Sequence, residues 1–254
     1  MIYLYGLLEP DTDADCSVIE GIGGVTGPVQ TATLPQGILV FGPHDGSEIL
    51  AKRRYLLAHA RVLEAILALG TVLPMRFGMM SADVTEIEAL FAAQAALIEA
   101  QQVKLRNAVE MGLRIEFERE PALAQTLTHH GALTAERDRL MQQKGVSHFL
   151  HAEFGRKLSE ALERHRTDAQ RDVIRALKPH VRDIMVRAPD SDVQVLSAHV
   201  LIHRDDEGAL ADAVSKALQS LDFGGASEPL IKLVGPEPPY HFVNLSLVPS
   251  QAAA

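Results

Sequence analysis

Few side chains in this sequence are typed and spaced for chemistry. Gly21, Gly23, Gly24 and Gly27 form a cluster that invites a phosphate-loop reading. The spacing lacks the third glycine of a dinucleotide fingerprint, and no Lys-Ser/Thr follows it. The cluster also precedes a strand rather than a helix whose N-terminus could hold phosphate, so it is read as a turn. His148 and His151 share an expected helix, with His129 and His130 upstream, a spacing that can put metal ligands on one helix face. No second matching pair and no His-Glu-x-x-His frame accompanies them, and they are read as surface or half-buried histidines. Cys16, the only cysteine, becomes a nucleophile only beside a base that lowers its pKa; His44 and His59 are candidates by existence alone. Glu116 and Glu118 alternate out of a strand toward water, and no Gly-x-Ser-x-Gly elbow is present. These residues assemble no catalytic set, and neither cofactor nor metal is expected.

Two proline-bearing segments carry more information. In Leu73-Pro74-Met75-Arg76-Phe77-Gly78 a strand ends at Pro74 and presents an arginine and an aromatic beside a glycine. In Gly235-Pro236-Glu237-Pro238-Pro239-Tyr240-His241-Phe242 consecutive prolines stiffen the backbone and remove donors. Tyr240 and Phe242 are expected on one side of a following strand. Each segment also has a plain packing reading: a strand end with a snorkelling arginine, and a rigid turn delivering two aromatics to the core.

The elements that must position these residues follow from periodicity. Ile2–Leu8 reads as a buried strand, 15–20 as a short helix, and 29–34 with 37–41 as a hairpin across Pro35-Gln36. A helix is expected over 48–69, with a stripe through Ile49, Arg53, Leu56, Ala60, Leu63 and Leu67 closed by Gly70. A short strand at 72–75 follows. The order β-α-β-β-α-β is the split βαβ arrangement of ferredoxin-like domains. A helix over 83–111, capped by Ser81 or Asp83 and stopped by Gly112, leads to an alternating strand at 113–118 ended by Pro121. Residues 133–178 read as helix, broken near Gly145 with Ser147 as the new N-cap and an apolar edge including Phe149, Leu150, Phe154 and Leu158. Strands at 181–188 and 193–203, a helix at 205–221, and strands at 229–234 and 240–248 complete a second β-α-β-β-α-β order, ahead of a frayed tail at 249–254. The expected fold class is α+β: a ferredoxin-like order over 1–110, and an α+β part with an antiparallel sheet and long helices over 111–250.

Composition narrows the function classes. The chain has 254 residues with 47% hydrophobic and 22% charged content, enough for a full core without disulfides. Its net charge of −9 opposes a phosphate backbone, and no strand interleaves basic and aromatic residues as an RNA-binding sheet does. No apolar run approaches the length of a membrane span, and the apolar start is too short for a signal peptide core. A cytoplasmic protein is expected.

In this order and placement, the two segments resemble the gas vesicle accessory proteins of the GvpF/GvpL family. Tyr3-Leu4-Tyr5-Gly6 resembles the family's first strand, Val72 to Gly78 its Leu-Pro-x-Arg-Phe-Gly element, and Gly235 to Phe242 its Gly-Pro-x-Pro-Pro-Tyr-x-Phe element. The resemblance spans residues 2–247. One departure is Glu237, where many relatives carry an aromatic, which weakens any surface contact relying on that ring. The resemblance implies an α+β protein of two domains, 1–110 a modified ferredoxin-like domain and 111–250 an α+β domain, with a non-enzymatic role in forming gas vesicles. It implies binding to the hydrophobic shell protein GvpA and to other accessory proteins, as a chaperone-like factor or minor shell component, in the cytoplasm or at the gas-facing side of the shell. The candidate contacts are Pro74, Arg76, Phe77, Gly78, Pro238, Pro239, Tyr240 and Phe242. The alternative is a small-molecule-binding or enzymatic protein built on tandem ferredoxin-like domains, since fold alone does not fix function.

Overall fold

The computed structural model describes residues 1–10, 12, 19–143 and 147–245. It is an α+β structure with two antiparallel sheets and, among the described residues, seven helices. The chain divides into two compact units, Met1–Glu110 joined by the chain from Pro236 onward, and Met111–Gly235. The chain therefore re-enters the first unit after Gly235, whereas the sequence reading keeps 236–250 with the second.

The first unit is built on β1 (Ile2–Leu8), whose seven residues are all buried, as a strand covered on both faces must be. It lies inside a sheet with β2 (Gln30–Leu34), β3 (Gly37–Pro43) and β4 (Val72–Pro74), in the order β2-β3-β1-β4; β5 (Met80–Ser81) pairs with the start of β1. The β1–β3 pairing shifts between Leu4 and Gly6. The β2–β3 hairpin turns over Pro35-Gln36, and Gly37 sits at φ 144°, where a Cβ would overlap the Leu8 carbonyl. Helix α1 (Arg53–Leu69) starts later than expected and buries His59, Val62, Leu63, Ile66 and Leu67. The expected stripe is rotated from this one: Leu56 is 42% exposed and His59 only 3%. Counting apolar residues skips a histidine whose polar atoms are satisfied inside the core.

Helices α2 (Val84–Ala93) and α3 (Ala95–Leu105) replace the single helix expected to reach Met111. Asp83 caps α2 by accepting from Glu86 N at 2.9 Å, while the Glu86 carboxylate accepts from Ser81 Oγ and Ala82 N, a variant of the capping box. Asn107 then adopts φ 52° and the chain enters β6 (Ala108–Glu116). Ala108, Val109, Glu110 and Met111 are all buried. Such a run has no period that separates helix from strand, and pairing in the sheet decides it. The expected helix at 15–20 lies largely outside the described residues, as does Cys16.

In the second unit the sheet order is β7-β8-β6-β9, from β7 (Asp183–Val186), β8 (Gln194–His203), β6 and β9 (Leu230–Glu237). Helix α4 (Arg119–His129) is absent from the sequence reading, which takes Pro121 as a strand end. Pro121 instead occupies the first helical turn, where its missing N–H is no loss. Helix α5 (Gly131–Gln142) precedes the 30-residue α6 (His148–Leu177), whose Ser147 N-cap accepts from Leu150 N at 3.4 Å. The break residue Gly145 lies outside the described residues. Helix α7 (Glu207–Gln219) buries Leu210, Ala213, Val214 and Ala217. β9 runs through Gly235 and Pro236, and no strand forms over 240–245; backbone bonds from Tyr240 N to Pro238 O and from Phe242 N to Pro239 O make a turn there. The expected strand at 240–248 is corrected accordingly in its described part. The backbone donors of Tyr240 and Phe242 are spent within this turn and are not offered to a sheet edge. The tail at 249–254 lies outside the described residues. No helix among the described residues is long and apolar enough to cross a membrane.

Candidate functional site

The first proline segment closes β4 and turns outward. Pro74 is buried opposite Gly6, and Met75 N donates to Tyr5 O at 2.8 Å. Met79 N bonds back to Arg76 O at 3.1 Å, so Phe77 and Gly78 occupy the middle of a tight turn. Gly78 stands at φ 85° with open space where a Cβ would go. Backbone conformation rather than crowding calls for glycine there. Arg76 is exposed, while Phe77 and Gly78 are half-buried.

A buried polar network fixes this turn from below. Gly78 N donates to Tyr3 Oη at 3.1 Å, Tyr3 Oη lies 2.9 Å from His59 Nδ1, and His59 Nε2 lies 3.2 Å from Met75 O. Burial pushes the His59 pKa from 6.5 down to about 4, against the opposing effect of the Met75 carbonyl. The ring is therefore neutral at pH 7. Its Nε2–H donates to Met75 O, leaving Nδ1 to accept the Tyr3 hydroxyl proton. Burial likewise raises Tyr3 to about 12, keeping that proton in place. The rings of Tyr3, Tyr5 and Phe77 surround His59, with centroids 5.6, 5.6 and 5.7 Å away. Tyr5 Oη accepts from Val25 N at 2.7 Å, and burial raises its pKa too. The opening strand and the Pro74–Gly78 segment are thus one construction centred on His59. In the sequence His59 stands out only as a candidate base for Cys16; its signal as a core residue is its helical spacing with Val62, Leu63 and Ile66.

The second proline segment is also held in the first unit. Pro238 and Pro239 are buried, Phe242 is 4% exposed and Tyr240 is 36% exposed. Glu110, wholly buried in β6, accepts from His241 N at 3.0 Å and lies 2.5 Å from His241 Nδ1. Lys104 Nζ lies 3.5 Å from Phe242 O and 5.6 Å from its ring centroid, and Gln101 Oε1 accepts from Asn244 N. Burial of the Tyr240 hydroxyl raises its pKa, helped by the charges of Glu237 and Glu64. Tyr240 and Phe242 do not share a strand face; the turn exposes one and buries the other. Pro74, Pro238, Pro239 and Phe242 are consequently packing residues in this unit, and Arg76, Phe77, Gly78 and Tyr240 retain accessible surface. Glu110 and Lys104, which carry the segment, were not legible because each lies more than a hundred residues from its partner in the chain.

His44 is buried in the first unit, and the remaining histidines fall in the second. His129 Nε2 pairs with Asp222 Oδ2 at 2.9 Å, and His165 Nε2 lies 2.8 Å from Asp222 O, with Thr126 Oγ1 at its Nδ1. They border a cavity of about 420 Å³ with His130, Arg164 and Asp168. Burial lowers the His165 pKa. His148 and His151 are exposed at the start of α6. Glu116 accepts from Ser191 Oγ at 2.7 Å rather than facing water alone.

The sequence matches the family described as "Gas vesicle synthesis protein GvpL/GvpF" over residues 1–244. Similar proteins include "Gas vesicle protein F" of Streptomyces sp. (strain CB03234), 28% identical over 95% of this chain and 99% of that one. "Gas vesicle protein F" of Microcystis aeruginosa (strain PCC 7806) is 25% identical over 81% of this chain and 84% of its own. The fold is similar to the crystal structure of GvpF from Anabaena sp. PCC7120, with TM-score 0.80, 23% identity, and coverage of 96% of this chain and 98% of that one. GvpF from Microcystis aeruginosa superposes with TM-score 0.71 at 25% identity, covering 96% and 99%.

Proposed function

Because the chain belongs to the GvpL/GvpF family of gas vesicle synthesis proteins, we propose that it acts in building gas vesicles as a non-enzymatic assembly factor. Its partners in this reading are the hydrophobic shell protein GvpA and other accessory proteins. It works in the cytoplasm and at the vesicle, as a chaperone-like factor or as a minor component of the gas-facing shell surface. The observation that carries the reading is the family match over nearly the whole chain. A shell subunit must hide apolar surface until it polymerises, and a soluble partner answers that need with docking area rather than reactive groups. The turn at Arg76–Gly78 and the ring of Tyr240 supply accessible surface on a rigid base; Pro74, Pro238, Pro239 and Phe242 support it. The strand order β2-β3-β1-β4 supports reading the first unit as a modified ferredoxin-like domain.

The test is co-purification of the tagged chain with GvpA, beside vesicle counts in a deletion strain. Binding together with loss of vesicles on deletion is expected. No binding and normal vesicles without the gene refute the proposal. The cavity at His129, His165 and Asp222 favours the second reading, a small-molecule site. A metabolite that raises the melting temperature of the wild type and not of His165→Ala would establish that alternative.

A further inference from the structure

Helices α5 and α6 run antiparallel over their outer turns, with Glu136 meeting Lys157 and Leu140 and Met141 beside Phe154. Leu133 and Leu140 on α5 and Leu150, Phe154 and Leu158 on α6 recur at helical spacing, the pattern of a face that is meant to be covered. Yet α5 buries no residue, and α6 buries none before Ala161. Met141 is 80% exposed, Phe149 72% and Leu150 42%. Helix α4 packs against both helices and leaves Leu133, Leu140, Phe154 and Leu158 half-buried, so the apolar surface still in need of a covering element is the end that carries Met141, Phe149 and Leu150. Between the two helices lies an apolar groove of about 250 Å³, lined by Arg137, Leu140, Met141, His151 and Phe154.

We propose that this groove is a docking site for an amphipathic helix of a partner protein, one with carboxylates flanking its apolar stripe. The inference rests on the assembly role above and adds where on the chain a partner is held. A third helix laid along two antiparallel helices packs ridges into their shared groove, and an unbranched methionine at the mouth adapts to the incoming side chains. The charge of the wall selects the partner. On a chain of net charge −9, the groove is lined by a guanidinium and an imidazole and by no carboxylate. A flanking Glu or Asp of the incoming helix meets Arg137 in exchange for the half-buried Asp138, whose Oδ1 now accepts from Arg137 Nε and Nη2 at 2.9 and 2.7 Å. A second copy of this chain docked through the same groove would set Arg137 against its own counterpart, which disfavours self-pairing.

The probes are two fluorescein-labelled helical peptides with the same leucine stripe, one flanked by Glu and one by Lys, titrated by fluorescence anisotropy into the full chain. The Glu-flanked peptide is expected to bind at least tenfold more tightly. Met141→Glu should weaken it at least tenfold with an unchanged melting temperature, since that side chain is exposed. Arg137→Glu should reverse the preference toward the Lys-flanked peptide. No binding of either peptide, or binding indifferent to both substitutions, overturns the proposal. GvpA capture is measured in parallel. GvpA capture that persists while neither substitution alters peptide binding overturns the groove and leaves the assembly role standing. Peptide binding without any GvpA capture supports the groove and removes GvpA as the partner. Wild-type dimerisation in sedimentation that Met141→Glu abolishes overturns the assignment of a heterologous helix.

Discussion

Acidification should destabilise this protein through one buried imidazole. His59 is 3% exposed, and its pKa is lowered from 6.5 to about 4 by burial. The unfolded chain takes up its proton near 6.5, and the native state only near 4. Between those values the unfolded state binds more protons, so stability rises with pH across that window. The contribution of His59 is complete above about pH 6.5, shrinks as the pH falls, and is gone below about 4. At about 1.4 kcal/mol per pKa unit, the interval amounts to about 3 kcal/mol. The physical content is that an imidazolium would have to sit among the Tyr3, Tyr5 and Phe77 rings with no carboxylate among its hydrogen-bonding partners. Urea unfolding followed by far-ultraviolet circular dichroism between pH 7 and pH 4 measures it. His59→Gln is the control: its amide can donate to Met75 O and accept from Tyr3 Oη, and it does not titrate. All other histidines and carboxylates contribute equally to both proteins. The wild type should lose about 3 kcal/mol more than the variant on acidification. Parallel stability curves for the two proteins would refute the reasoning.

Tyr3→Phe removes the hydroxyl that joins Gly78 N to His59 Nδ1, leaves a buried acceptor unpaired, and should cost about 2–4 kcal/mol by urea unfolding. Gly78→Ala and Gly37→Ala separate backbone strain from collision: the first meets only its φ of 85° and should cost about 1–2 kcal/mol, while the second also drives a Cβ into the Leu8 carbonyl and should cost more. Glu110→Gln removes the charge opposite His241 and should speed hydrogen exchange of the His241 and Asn244 amides about tenfold or more, with amides of β3 as the unchanged reference. Arg76→Ala, on an exposed side chain, should stay within about 0.5 kcal/mol of the wild type in thermal unfolding, so that any loss of GvpA capture reports contact rather than folding.

Local physics made part of the fold legible and left the rest hidden. The β2–β3 hairpin followed from Pro35-Gln36-Gly37, the cap of α2 from Asp83, and the cap of α6 from Ser147. The errors cluster where a run has no period or where a polar residue enters the core. Residues 108–111 are buried throughout and carry no period that separates helix from strand; Pro121 has the look of a stop yet sits in the first turn of α4; α1 faces the sheet through a histidine. At the candidate site, the motif residues were visible because proline, glycine and aromatic spacing is local. Their division into packing residues and accessible ones was not, because exposure depends on what the rest of the chain lays against them.

The order of residues by itself determined the family, the α+β class and the two segments around Pro74 and Pro239, since these are written in short-range patterns. The tertiary structure alone decided that Tyr3, His59 and Gly78 form one network, that Glu110 holds His241, and that Met141, Phe149 and Leu150 stay exposed on α5 and α6. Hydrogen bonds and burial join residues that folding brings together across dozens to more than a hundred positions, and no local pattern in the chain encodes a meeting at that range.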